Sequence, residues 1–205
     1  MPITDLFWAC PVCGARDGLQ HGREGEGKGA RCHECGSRFR RVQGARIEVL
    51  RPDGRRETAS VARWLDRLPP VSQLLGERPI RQARATLRIA EAERVIREGR
   101  RYLNRIEIFG KPDDGTLRLR PDAVIFRPDR QGSDDLTWPF EGLTAIQPSS
   151  HTLQLKARDR PVASLHFASD SVRLWEELLM HAVRDFYRRT GRGDVVEFQP
   201  RISVR

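Results

Sequence analysis

The sequence predicts a mainly β protein, α+β overall, in which a small N-terminal β unit stapled by a metal ion precedes a longer run of short strands closed by one C-terminal amphipathic helix. Three observations predict it. All four cysteines fall in two Cys-x-x-Cys-Gly knuckles, Cys10-Pro11-Val12-Cys13-Gly14 and Cys32-His33-Glu34-Cys35-Gly36. From residue 102 onward, short segments alternate apolar and polar residues between turn signals. One later segment carries apolar residues at helical spacing.

A thiolate pair at the Cys-x-x-Cys spacing grips one cation from a tight turn, and the glycine after it lets the backbone turn with its amides toward sulfur. Eighteen residues separate the knuckles, within the spacing of paired zinc-binding units. The expected metal ligands are Cys10, Cys13, Cys32 and Cys35, and the expected cofactor is a structural Zn²⁺. An iron centre of the rubredoxin kind uses the same ligands and stays open. A disulfide framework needs an oxidising compartment, but the N-terminal residues lack the basic-then-apolar pattern of a secretory signal, so a cytoplasmic location is expected. A redox Cys-x-x-Cys usually stands alone beside a βαβ pattern, whereas here there are two, flanked by hairpins. With four thiolates at hand, His33 is expected to be a solvated turn residue.

The 205 residues suffice for two small domains, and 38% apolar with 32% charged content is ordinary for a globular chain. No run approaches the roughly 18 to 20 apolar residues that cross a bilayer, so no transmembrane segment is expected. The formal charge is +9, with only Lys28, Lys111 and Lys156 as lysines. Four thiolates around Zn²⁺ carry −2, which brings +9 to about +7. An acidic partner follows, whether nucleic acid, anionic lipid or an acidic protein face.

Residues 1–68 form the first expected domain, a zinc ribbon with an appended hairpin and short helix. Phe7 and Trp8 lead into the first knuckle, and the glycine-rich loop 22–29 separates it from the second. Alternation over 37–42 and 45–50 suits half-buried strands, and Arg51-Pro52-Asp53-Gly54 reads as a hairpin turn. Such a unit has little apolar core, so metal binding supplies on the order of 10 kcal/mol of its folding free energy. Over 60–68, Val61, Trp64, Leu65 and Leu68 have helical spacing, and Trp64 is expected to anchor the packing. Pro69-Pro70 ends this helix and opens a linker over 69–78.

The second expected domain spans 79–192, followed by a tail over 193–205. Residues 83–89 alternate as a strand, and 90–100 reads as a short helix stopped near Gly99. Between Arg78 and Arg105 nine arginines stand against three glutamates, a net of +6 over 28 residues. Seven strands then follow, at 106–109, 116–120, 123–127, 137–140, 143–147, 152–157 and 162–167. The helix is expected over 171–189, with Val172, Trp175, Leu178, Leu179, Ala182 and Phe186 on one face, Ser169 or Asp170 as its cap and Gly191 just beyond its end.

Seven short antiparallel strands followed by one amphipathic helix resembles the pleckstrin-homology superfold, and within it the GRAM-like and bacterial PH-like branches. Gly115-Thr-Leu-Arg-Leu-Arg-Pro-Asp-Ala-Val-Ile-Phe126 is similar to the Gly-x-Leu-x-Leu-Thr-x-x-x-Leu-x-Phe hairpin of GRAM domains, with Arg120 and Val124 where Thr and Leu are usual. Trp175 matches the tryptophan that PH domains set against the open end of their barrel. The resemblance, over roughly residues 101–190, implies a seven-stranded β-barrel or sandwich with Trp175 as structural anchor. Segments 138–150 and 195–202 also resemble parts of bacterial proteins linked with lysophospholipid acyltransferases. The His-x4-Asp signature of those enzymes is absent here, since Lys156 stands five residues after His151.

No nucleophile elbow and no phosphate-cradling Gly-x-x-x-x-Gly-Lys occurs, so a non-catalytic binding or adaptor protein is expected. Its candidate ligand-binding residues are Arg118, Arg120, Arg127 and Arg130 around the first hairpins of the PH-like domain. Anionic lipid or a membrane-associated protein, met peripherally at the inner membrane face, stands slightly ahead of nucleic acid met through Arg38, Arg40, Arg41 and Arg46. A scaffold that binds peptide is a third reading.

Overall fold

A computed structural model describes residues 2–16, 18–21, 29–75, 81–149, 151–198 and 201–204. Most of the glycine-rich loop, residues 22–28, lies outside them. The chain divides into two units, Met1–Leu74 and Leu75–Arg205. The division falls inside the segment 69–78.

In the first unit a one-turn helix, α1 (Ile3–Leu6), precedes five strands: β1 (Leu19–His21), β2 (Ala30–Cys32), β3 (Arg38–Val42), β4 (Arg46–Leu50) and β5 (Arg56–Ser60). They form one antiparallel sheet in chain order. Alternation turns Phe39, Ile47 and Val49 to a core shared with Ile3, Leu6, Phe7, Ala59 and Trp64, a larger apolar core than expected for this unit, while Arg38 and Arg40 stay outside. The turn between β4 and β5 is the expected one, with Gly54 N–H donating to the Arg51 carbonyl at 3.0 Å. At the start of α2 (Val61–Leu65) the Ser60 hydroxyl accepts from the Arg63 N–H at 3.3 Å. Trp64 is fully buried and its Nε1–H donates to the Ile47 carbonyl at 3.0 Å, which ties the helix to the sheet. A further short helix, α3 (Ser72–Leu75), lies at the division.

The second unit contains β6 (Arg81–Glu98), β7 (Arg101–Phe109), β8 (Asp113–Leu119), β9 (Ala123–Pro128), β10 (Leu136–Pro139), β11 (Leu143–Pro148), β12 (Leu153–Ala157), β13 (Arg160–Phe167), α4 (Val172–Thr190), β14 (Val195–Phe198) and β15 (Arg201–Val204). The sheet order is β10-β9-β8-β6-β13-β12-β11-β15-β14, with β7 paired to β6. All pairings are antiparallel. The seven expected strands are present as β7 to β13.

Three expectations for the second unit need correction. Residues 90–98 continue β6 as strand, because from Ala90 onward they bond to β7 in a ladder that a helix cannot make. Within the expected tail over 193–205, β14 and β15 form a hairpin and β15 takes the edge of β11. Among the described residues the sheet does not close into a barrel, because its end strands β10 and β14 do not pair with each other. Lastly, Ser171 caps α4, accepting from the N–H groups of Arg173 and Leu174, while Asp170 serves another purpose.

That purpose is Trp175, which is fully buried, stacks on Phe167 with ring centroids 5.2 Å apart and donates its Nε1–H to Asp170 at 2.8 Å. Around it α4 buries Leu174, Leu178, Leu179, Ala182 and Val183, and it packs on β11 and β12. The helix ends at Gly191, whose φ of 64° is the left-handed geometry that glycine adopts without penalty. No helix among the described residues is long and apolar enough to cross a membrane.

Candidate metal centre

The two knuckles fold alike because they carry the same turn chemistry. In the first, Gly14 N–H donates to the Cys10 carbonyl at 2.8 Å and Cys10 N–H to that of Ala15 at 2.8 Å. In the second, Gly36 N–H donates to the Cys32 carbonyl at 3.0 Å and Cys32 N–H to that of Ser37 at 2.9 Å. Gly14 and Gly36 have φ of 76° and 72°, so each turn needs its glycine. Pairing of Leu19 with Cys32 across β1 and β2 brings the knuckles together.

All four Sγ atoms lie within 4.8 Å of one another. Cys10 and Cys35 are 3.8 Å apart at sulfur, as are Cys13 and Cys32. A tetrahedral ion with metal–sulfur bonds of about 2.3 Å requires sulfurs about 3.8 Å apart. The cluster therefore fits a single tetrahedral ion such as zinc.

Electrostatics points the same way. Burial pushes the thiol of Cys10 up, against ionisation. Burial also opposes ionising Cys35, but the Ser37 hydroxyl, 3.2 Å from its Sγ, and the Ser37 backbone N–H, with smaller contributions from the Cys13 and Cys32 thiols, together bring this thiol down to about 7. The buried hydroxyl of Ser37 thus has its partner in the cluster. A divalent cation would displace the remaining thiol protons and balance the charge that burial penalises. His33 stands apart, half-exposed and 3.2 Å from Glu34.

No protein-family model matches the chain, and no curated protein matches it in sequence.

The four arginines singled out on the second unit sit on or near the β8–β9 hairpin. The ladder sets Thr116 opposite Arg127 and Arg118 opposite Ile125, so Arg118 and Arg127 share a sheet face. Asp135 accepts from Arg127 at 3.0 and 3.2 Å, and that contact holds the Asp135 carboxyl below its usual range. Arg130 lies 3.8 Å from Asp113 and donates to Ser133 at 2.8 Å. Arg118 has a buried Nε without a hydrogen-bond partner, and Arg120 is exposed just beyond β8. Two of the four cations therefore already face carboxylates.

Sequence reasoning missed the arm made by β7 and the distal half of β6. Among the described residues, the large apolar side chains left exposed are Val95, Ile96, Leu103, Ile106 and Ile108, all on these two strands. The available signal was the concentration of arginine among them.

Proposed function

We propose that this chain is a non-catalytic binding protein in which a structural zinc ion holds the first unit as a zinc ribbon and the second, PH/GRAM-like unit associates with an anionic membrane surface or a protein on it. The observation that carries the reading is the four-thiolate cluster. A tetrahedral ion held by Cys10, Cys13, Cys32 and Cys35 has no open position for substrate, so it staples the fold and performs no chemistry. A run of antiparallel strands followed by an amphipathic helix supports the likeness to PH domains, although eight strands, β6 to β13, precede the helix and the tail hairpin adds two more.

The arginine-derived charge supports an anionic partner. Nucleic acid is the weaker choice, because the exposed apolar side chains Val95, Ile96, Leu103, Ile106 and Ile108 on β6 and β7 suit a membrane surface and would find no partner among phosphates. Flotation of the full chain with phosphatidylcholine–phosphatidylglycerol vesicles, beside a filter assay with mixed DNA and RNA, tests the reading. The account expects flotation with the anionic vesicles, weakening as salt rises and the screening length falls toward about 8 Å. Retention on nucleic acid without flotation would contradict it.

A further inference from the structure

We propose that the tip of the β6–β7 arm is the membrane-contacting element, with Val95, Ile96 and Leu103 entering the headgroup layer of an anionic bilayer and the neighbouring arginines meeting lipid phosphates. This rests on the membrane reading above. From Ala90 outward β6 is hydrogen-bonded to β7 alone, whereas its proximal half lies between β8 and β13. The arm is thus a two-stranded ribbon of eight residue pairs, roughly 30 Å long. Such a ribbon with apolar side chains in water is marginal unless something covers it.

Placement of those side chains says what covers it. Val95 and Ile96 are consecutive in the strand and lie on opposite faces, 41% and 36% exposed, and Leu103 stands near the tip at 47%. A folded partner docking on one face leaves the other wet. A lipid interface surrounds both.

Charge is distributed to match. Residues 94–105 contain five arginines against Glu98, a net of +4, whereas the base carries Glu91, Glu93 and Glu107. Glu107 is 17% exposed and 3.3 Å from Lys156 on β12, which fixes the base to the sheet. Exposed apolar side chains thus run along the ribbon, from Ile108 near its base to Leu103 near its tip, while its charge is basic at the tip and acidic where it joins the body, a polarity that turns the tip toward an anionic leaflet. Two tips of +4 would repel each other, which disfavours a second copy as the cover. Phosphates of a nucleic acid would meet the arginines but leave apolar side chains wet on both faces.

Vesicle flotation of the full chain and of two variants tests this. In one variant Val95→Asp and Leu103→Asp are combined; both positions are exposed, so circular dichroism should show an intact fold. In the other, Leu103→Trp places a reporter at the tip, while Trp8, Trp64, Trp138 and Trp175 are buried and contribute little quenching. The inference expects the double variant to bind phosphatidylglycerol-containing vesicles about tenfold or more weakly, since two apolar insertions are lost. It also expects the Leu103→Trp emission to shift blue and to be quenched by brominated acyl chains. Equal flotation of wild type and double variant, with no quenching, would overturn the tip while leaving membrane association standing. Absence of wild-type flotation, or retention on DNA or RNA alone, would overturn both.

Discussion

Replacing Trp175 by alanine removes the ring at the centre of the second unit's core. The side chain is fully buried, stacked on Phe167 and bonded to Asp170, so the expected loss is the full range for a truncated core aromatic, about 3 to 5 kcal/mol. Asp170 is not stranded, because Arg81 lies 3.3 Å from it, and the cost should not exceed that range. Domains of this size have about 5 to 15 kcal/mol in total. With a urea dependence of about 1 to 3 kcal/mol per molar, the unfolding midpoint should fall by at least about 1 M. Hydrogen exchange read on peptides from β11 to β13, in metal-saturated full chain, reports this unit separately from the first. Trp175→Phe keeps one aromatic ring in the core but loses the five-membered ring and its N–H donor, so its cost should exceed the about 1 kcal/mol of a hydrogen bond alone and stay below that of the alanine variant. An unchanged midpoint for the alanine variant would refute the placement of this residue in the core.

Three further outcomes follow from the same geometry. A Cβ at Gly115 would lie 2.3 Å from the Arg127 carbonyl oxygen and 2.6 Å from the Phe126 ring, so Gly115→Ala should force β8 and β9 apart and cost about 1 to 3 kcal/mol, measured by the same exchange midpoint. Cys32→Ser should abolish metal binding and unfold Met1–Leu74 while β11 to β13 keep their protection, since metal supplies on the order of 10 kcal/mol to such a unit; loss of protection in both units would contradict this. Hydrogen bonds from Arg84 and Arg127 hold Asp129 and Asp135 below the usual carboxylate range, so their contribution is present above the unfolded value and lost as pH falls through the folded ones. Melts of Arg84→Met and Arg127→Met between about pH 5 and 2 should therefore show a shallower acid loss than wild type, by a small amount because the pairs are exposed.

The metal cluster was legible in the sequence because its signal is local: two identical turns, each fixed by a glycine that follows its cysteine pair. Strands β8 to β13 were legible because one face of each is buried, which imposes period-two alternation, and turn residues separate them. The distal half of β6 was not, since no core imposes alternation there, and Ala90, Ala92, Val95 and Ile96 then mimic a helical pattern. Barrel closure was equally hidden, because it depends on which edges meet, and β15 occupies an edge of β11 through pairing between residues far apart in the chain. The carboxylates that face Arg127 and Arg130 come from neighbouring turns and strands, and only the observed register shows them.

Metal content tests the centre of the account most directly. Elemental analysis of the full chain, purified under reducing conditions without added metal, should find one zinc per chain, in keeping with one four-sulfur cluster. Adding a strong chelator should release it and unfold the first unit. One iron per chain would keep the four-thiolate site and replace the ion. A chain carrying essentially neither metal, with its first unit folded, would contradict the claim that these four cysteines hold that unit together.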